Sequence, residues 1–105
     1  MAGHAHIERW SLLMHRSIAD RIEAGDPEPL RKAAENLERW RHLHGELNPA
    51  QAEWIAILAW PASRLLAMLR DADGQEAIRL RSNSPFAGVI DQRQRIELLH
   101  EARAA

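Results

Sequence analysis

Histidine, carboxylate and serine side chains are where chemistry would start in this chain, and their spacing limits what they can do together. His4-x-His6 and His42-x-His44 pair imidazoles two residues apart, while His15 and His100 stand alone. Imidazole is a common metal ligand. Residues two apart on a helix point about 200° away from each other, so His42 and His44 cannot share an ion while their helix persists. No two histidines have the three- or four-residue spacing of a helical metalloprotease motif. If Met1 is removed, Ala2-Gly3-His4 offers an amine, amides and an imidazole in a pattern suited to square-planar Cu(II) or Ni(II). The plainer reading, ordinary surface and helix-end histidines, is preferred, and no metal or other cofactor is expected.

The carboxylates are interleaved with arginine at helical spacing, Glu35 with Arg39 and Glu97 and Glu101 with Arg103 nearby, which is the pattern of a solvated helix face. No two of them stand out as an acid and its base. Ser11, Ser17, Ser63, Ser82 and Ser84 have no strand-to-helix elbow around them, and no glycine-rich phosphate loop is present. The absence of cysteine removes thiolate nucleophiles, thiolate zinc sites and disulfides. The expectation is a protein that is not an enzyme.

One stretch fits neither a helical nor a strand pattern, Ser82-Asn83-Ser84-Pro85-Phe86-Ala87-Gly88-Val89-Ile90, within an irregular loop expected over residues 82–91. It carries the only Phe, with Arg79 and Arg81 before it and Arg93 and Arg95 after it. As a connector, Pro85 would set a turn, Phe86 would plug into the core and Gly88 would take a positive φ. As a contact surface, Pro85, Phe86, Val89 and Ile90 would form an apolar hook framed by Arg81, Arg93 and Arg95, matching the aromatic and Arg enrichment of interface hot spots. Trp60, just before the helix-breaking Pro61, is a further candidate anchor, whereas Trp10, Trp40 and Trp54 fall on stripes expected to be buried.

The elements that must position these residues are helices. Ile7, Trp10, Met14, Ile18 and Ile22 recur at helical spacing with Leu13 beside them, predicting a first helix from about His6 to Ala24, with residues 1–5 disordered. Gly25 and Asp26-Pro27 make a corner, after which Leu30, Ala33, Ala34, Leu37, Trp40 and His44 share a stripe on a second helix ending at Gly45. Asn48-Pro49-Ala50-Gln51 reads as a capping box opening a third helix, apolar nearly all round and therefore expected at the centre. Pro61 then forces a break before a fourth helix through Leu65, Leu66, Met68 and Leu69. Asp73-Gly74-Gln75-Glu76 reads as another capping box for a short fifth helix, and Asp91 caps a last one bearing Ile96 and Leu99 on one face.

At 105 residues the chain is one domain by length, burying roughly two thirds of its unfolded surface. Val occurs once and Thr not at all, which disfavours strands. The expected fold is all-α, a compact single-domain bundle of five to six short helices with Gly and Pro corners. An apolar fraction of 46% and a net charge of −1 disfavour disorder and wholesale polyanion binding. No apolar run approaches the roughly 20 residues that span a bilayer, and the opening residues lack the basic region and apolar core of a signal peptide, so a cytoplasmic protein with no membrane partner is expected.

Three segments together carry a resemblance: Trp-x-x-Leu-Met-His-Arg-x-Ile-Ala over Trp10–Ala19, Asn-Leu-x-Arg-Trp over Asn36–Trp40, and Leu-Arg-x-x-Ser-Pro-Phe-Ala-Gly-Val-Ile over Leu80–Ile90, followed by a basic helix. Over nearly the whole chain this resembles small all-helical bacterial antitoxins or antitoxin-like regulators encoded beside a toxin. The resemblance implies a protein that neutralises a cognate toxin enzyme by direct contact, here through the loop and its arginines. A small helical DNA-binding regulator is the alternative, with residues 63–72 as the would-be recognition helix; it offers only Arg64 and Arg70 as cations. A homo-oligomer joined through leftover apolar surface is the third possibility.

Overall fold

The computed structural model describes the backbone of residues 2–104 and the side chains of residues 8–104. The side chains of His4, His6 and Ile7, and with them the Ala2-Gly3-His4 motif, lie outside the described set. Six helices follow one another, α1 (Ala2–Glu23), α2 (Glu28–His44), α3 (Pro49–Ile57), α4 (Ala62–Arg70), α5 (Gln75–Arg81) and α6 (Gln92–Ala104). Among the described residues there is no strand, so the fold is the all-α bundle that the composition predicts. α1 starts at Ala2 rather than near His6, so residues 2–5, expected to be disordered, continue the helix.

The corners follow from local chemistry. Gly25 at φ 90° and Gly45 at φ 81° adopt the left-handed conformation that ends α1 and α2 with little steric penalty. Asp26 accepts the Glu28 amide at 2.9 Å and so starts α2. At α3 the capping box is complete: Asn48 Oδ1 accepts the Gln51 amide at 2.8 Å, and Gln51 Oε1 accepts the Asn48 amide at 3.1 Å. Pro61 is extended and separates α3 from α4. The capping box expected at Asp73 is absent. Asp71 makes the turn instead, its Oδ1 accepting the amides of Asp73 and Gly74 at 3.1 and 3.0 Å, and the N-cap of α5 is Gly74.

The centre of the bundle is α1, which packs against α2, α4, α5 and α6. It buries Leu13, His15, Ile18 and Ala19, while Trp10, Met14 and Ile22 are half-buried. This corrects the expectation for α3. Trp54 and Ile57, three residues apart, give α3 a single buried edge, and Ile55 is left 56% exposed beside exposed Ala52 and Ala56. Alanine is small enough that a face made largely of it tolerates water. On α2 the buried positions are Pro29, Ala33, Asn36 and Leu37, whereas Ala34 and His44, expected on the buried stripe, face solvent. On α6 it is Ala102 that is buried, with Leu98 and Leu99 half-buried and Ile96 exposed.

Because the Asn48–Gln51 box supplies both bonds that start α3, Asn48→Ala should lower stability by about 1 kcal/mol. Urea unfolding followed by circular dichroism measures this, and an unchanged midpoint would show that the cap does not contribute.

Candidate functional site: a cleft beside the 82–91 loop

The loop is irregular, as expected, but it is folded into the protein. Phe86 is 1% exposed and sits edge-to-face between Trp54 and His15, with ring centroids 5.6 and 5.9 Å away. Pro85 is fully buried and Val89 is 8% exposed. Gly88 takes φ 82°, the positive value the sequence suggested.

A segment without regular structure leaves most of its carbonyls without a ladder partner; the Val89 amide serves Phe86 at 3.2 Å, and side chains from the helices serve Pro85, Ala87 and Val89. Asn36, itself fully buried, donates through Nδ2 to the carbonyls of Pro85 and Ala87 at 2.9 and 2.8 Å. Its Oδ1 accepts from Arg39 at 2.7 Å, so Arg39 serves Asn36 while Glu35 pairs with Arg31. Arg21 reaches the Val89 carbonyl at 2.9 Å, and Trp54 Nε1 donates to the Leu80 carbonyl at 3.0 Å.

His15 ties the loop to α1. Its Nδ1 lies 2.6 Å from the carbonyl oxygen of Ser11, which can only accept, so Nδ1 carries the proton. Nε2 is then an acceptor for the Ser84 hydroxyl at 2.7 Å. Burial is the main reason the imidazole pKa falls from 6.5 to about 4; the bond to the Ser11 carbonyl acts against that fall, and the nearby charge of Arg81 adds to it. At neutral pH His15 is uncharged. A serine hydroxyl against a neutral imidazole held by a carbonyl is also the layout of a nucleophile and its base, and Ser84 is half-buried in the wall of the cleft described next.

Between residues 8–14 of α1, the α4–α5 corner and the loop lies an open cleft of about 650 Å³. Trp10, Met14, Ile78, Phe86 and Ile90 supply apolar walls. Among the described residues its charged lining consists of Arg9, Arg81 and Arg95 against Glu8, three positive and one negative, a balance of +2 on a chain whose net charge is −1.

The residues expected to form an exposed hook are therefore dispersed. Pro85, Phe86 and Val89 belong to the core, because their carbonyls and rings have partners inside the protein. Arg81 is 5% exposed and donates to the Met68 carbonyl at 2.8 Å, so it is not a surface cation. Ile90 and Arg95 border the cleft, with Arg95 5.7 Å from the Trp10 ring centre. Arg93 points outward, its side chain 91% exposed and 3.8 Å from Glu97. Trp60 lies elsewhere, half-buried against the core with the Arg64 guanidinium 3.8 Å above its ring. Arg79 pairs with Glu53 and Glu76 and does not frame the loop.

Among the described residues no group of three or more His, Asp or Glu is placed to hold a metal ion, and no helix is long and apolar enough to cross a membrane. Comparison of the chain with protein-family models, curated proteins and solved structures returned no match.

Asn36→Ala would strand the buried Pro85 carbonyl and remove the part-buried bond to Ala87, and should lower stability by about 1–3 kcal/mol, measured by urea unfolding; a loss below about 0.5 kcal/mol would mean that Asn36 does not hold the loop. His15 gives a pH dependence of known sign. Its folded pKa lies below the 6.5 of the free side chain, so the unfolded chain binds the proton more readily. The resulting stability is full above pH 6.5 and is lost as pH falls towards 4, a change of about 3 kcal/mol. Unfolding free energies across that range should decline less steeply in His15→Gln, and identical slopes would contradict the assignment.

Proposed function

We propose that this protein acts by binding another protein, as an antitoxin-like neutraliser of a toxin enzyme encoded beside it, and that it catalyses no reaction itself. The observation that carries the reading is the cleft, which is concave, apolar-walled and net positive on a chain that is net negative. Such a surface suits an acidic, partly apolar protrusion of a partner. With Phe86 inside the core, the sense of the contact inverts: the partner's segment enters this protein, and exposed Arg95 at the rim meets an acidic group of it, with Arg93 left outside the cleft. The loop then shapes the cleft instead of projecting from it.

DNA binding through α4 is less well supported. Of its two cations, Arg70 is held by Asp20 at 2.8 Å and Glu23 at 3.1 Å, and Arg64 is stacked on Trp60. Arg70 is thereby withdrawn from a base edge or phosphate, which leaves exposed Arg64 as the single cation of α4 able to meet one.

The test is co-expression with the product of the adjacent gene. A stable complex is expected, together with rescue of cells that the neighbour alone arrests. Arg95→Glu should weaken the complex at least tenfold by reversing the charge at the rim. A neighbour that is harmless alone and forms no complex contradicts the proposal. Labelling of Ser84 by a fluorophosphonate, lost in His15→Gln, would instead make the protein a hydrolase.

A further inference from the structure

Arg81 is out of balance with its surroundings. A guanidinium that is 5% exposed is normally matched by a carboxylate, because burying an unpaired charge is costly. The ion pairs among the described residues use Arg21, Arg31, Arg41, Arg70, Arg79 and Arg93, and none uses Arg81. Asp71 is near enough to favour its charged form, but the Asp71 carboxylate serves the amides of Asp73 and Gly74, and Arg16 acts in the opposite sense. Arg81 has five N–H donors. One is directed to the Met68 carbonyl, and the side chain lines the cleft beside Ser84, Ile78 and Phe86.

We infer that Arg81 is the receptor for a carboxylate brought by the segment that enters the cleft, an Asp or Glu flanked by apolar side chains. The inference rests on the reading that the cleft takes a partner's segment, and it names what that segment must present. A planar guanidinium forks onto a carboxylate with two parallel bonds. The apolar walls at Trp10, Met14, Ile78, Phe86 and Ile90 take the neighbouring side chains, and neutral His15 adds no competing charge.

The test uses the protein alone with octanoate and octan-1-ol, equal in chain length and differing in the charged head, followed by NMR titration. Octanoate should bind at least roughly tenfold more tightly than octan-1-ol and shift the Arg81 Nε–H resonance, which octan-1-ol leaves in place. In Arg81→Met the two should bind within about twofold of each other, with octan-1-ol binding retained as proof that the cleft is intact. Equal binding of the two by the wild-type protein, or an octanoate preference that survives in Arg81→Met, overturns the inference. If Arg81→Met does not fold, the Arg81 Nε–H shift in the wild-type protein decides. A complex with the adjacent gene product that is unaffected by Arg81→Met overturns the role of Arg81 and leaves the partner reading standing. Octanoate selectivity without any such complex supports the Arg81 site and sinks the partner reading.

Discussion

Residues 84–90 bury Pro85, Phe86 and Val89 without the hydrogen-bond ladder of a helix or strand, while Ala87 and Gly88 stay exposed, and that constraint governs much of the rest. Apart from that of Phe86, which accepts from the Val89 amide, its paired carbonyls take donors from outside the segment. Asn36 serves Pro85 and Ala87, and Arg21 serves Val89. These donors lie on different helices, so the loop fixes the spacing of α1 and α2 as much as they fix the loop. Phe86 then fills the space between Trp54 of α3 and His15 of α1, which brings a third helix onto the same point.

The arrangement explains why α1 is central and why it carries a buried histidine. An apolar residue at position 15 would pack against Phe86 but would leave the Ser84 hydroxyl without its 2.7 Å partner. The imidazole does both, at the cost of excluding its own charged form. It also leaves Arg81 as the buried cation of this region, close to the cleft. A loop packed into the core, with a neutral histidine behind it and a guanidinium in no ion pair beside it, is better suited to receiving a ligand group than to reaching out for one.

Much of the fold was legible because it is written in short-range chemistry. Asn48 with Gln51, Gly25, Gly45, Pro61 and Asp91 act within a few residues of themselves, and their geometry agrees with the sequence reading. What was not legible depended on partners distant in the chain. α3 is apolar on all sides, but half of that is alanine, which does not choose between core and water. Phe86 in a turn-rich loop is compatible with either a plug or a hook, and the choice is made by Trp54 and His15, 32 and 71 positions earlier in the chain. Asn36 and His15 did leave a signal. Each lies on the buried face of its helix, Asn36 beside Leu37 and three residues after Ala33, and His15 three before Ile18 and four before Ala19. A polar residue on such a stripe implies a buried partner.

The candidate site was legible in part. The sequence drew attention to the right segment and to Arg81, Ile90 and Arg95, which line the cleft, but gave the loop the wrong direction. The central claim is that residues 84–90 are held as firmly as the helices that hold them. Backbone 15N relaxation over this segment tests it most directly. Order parameters of about 0.85, equal to those of α1 and α2, are predicted, and values below about 0.6 from Ser84 to Val89 would contradict the account.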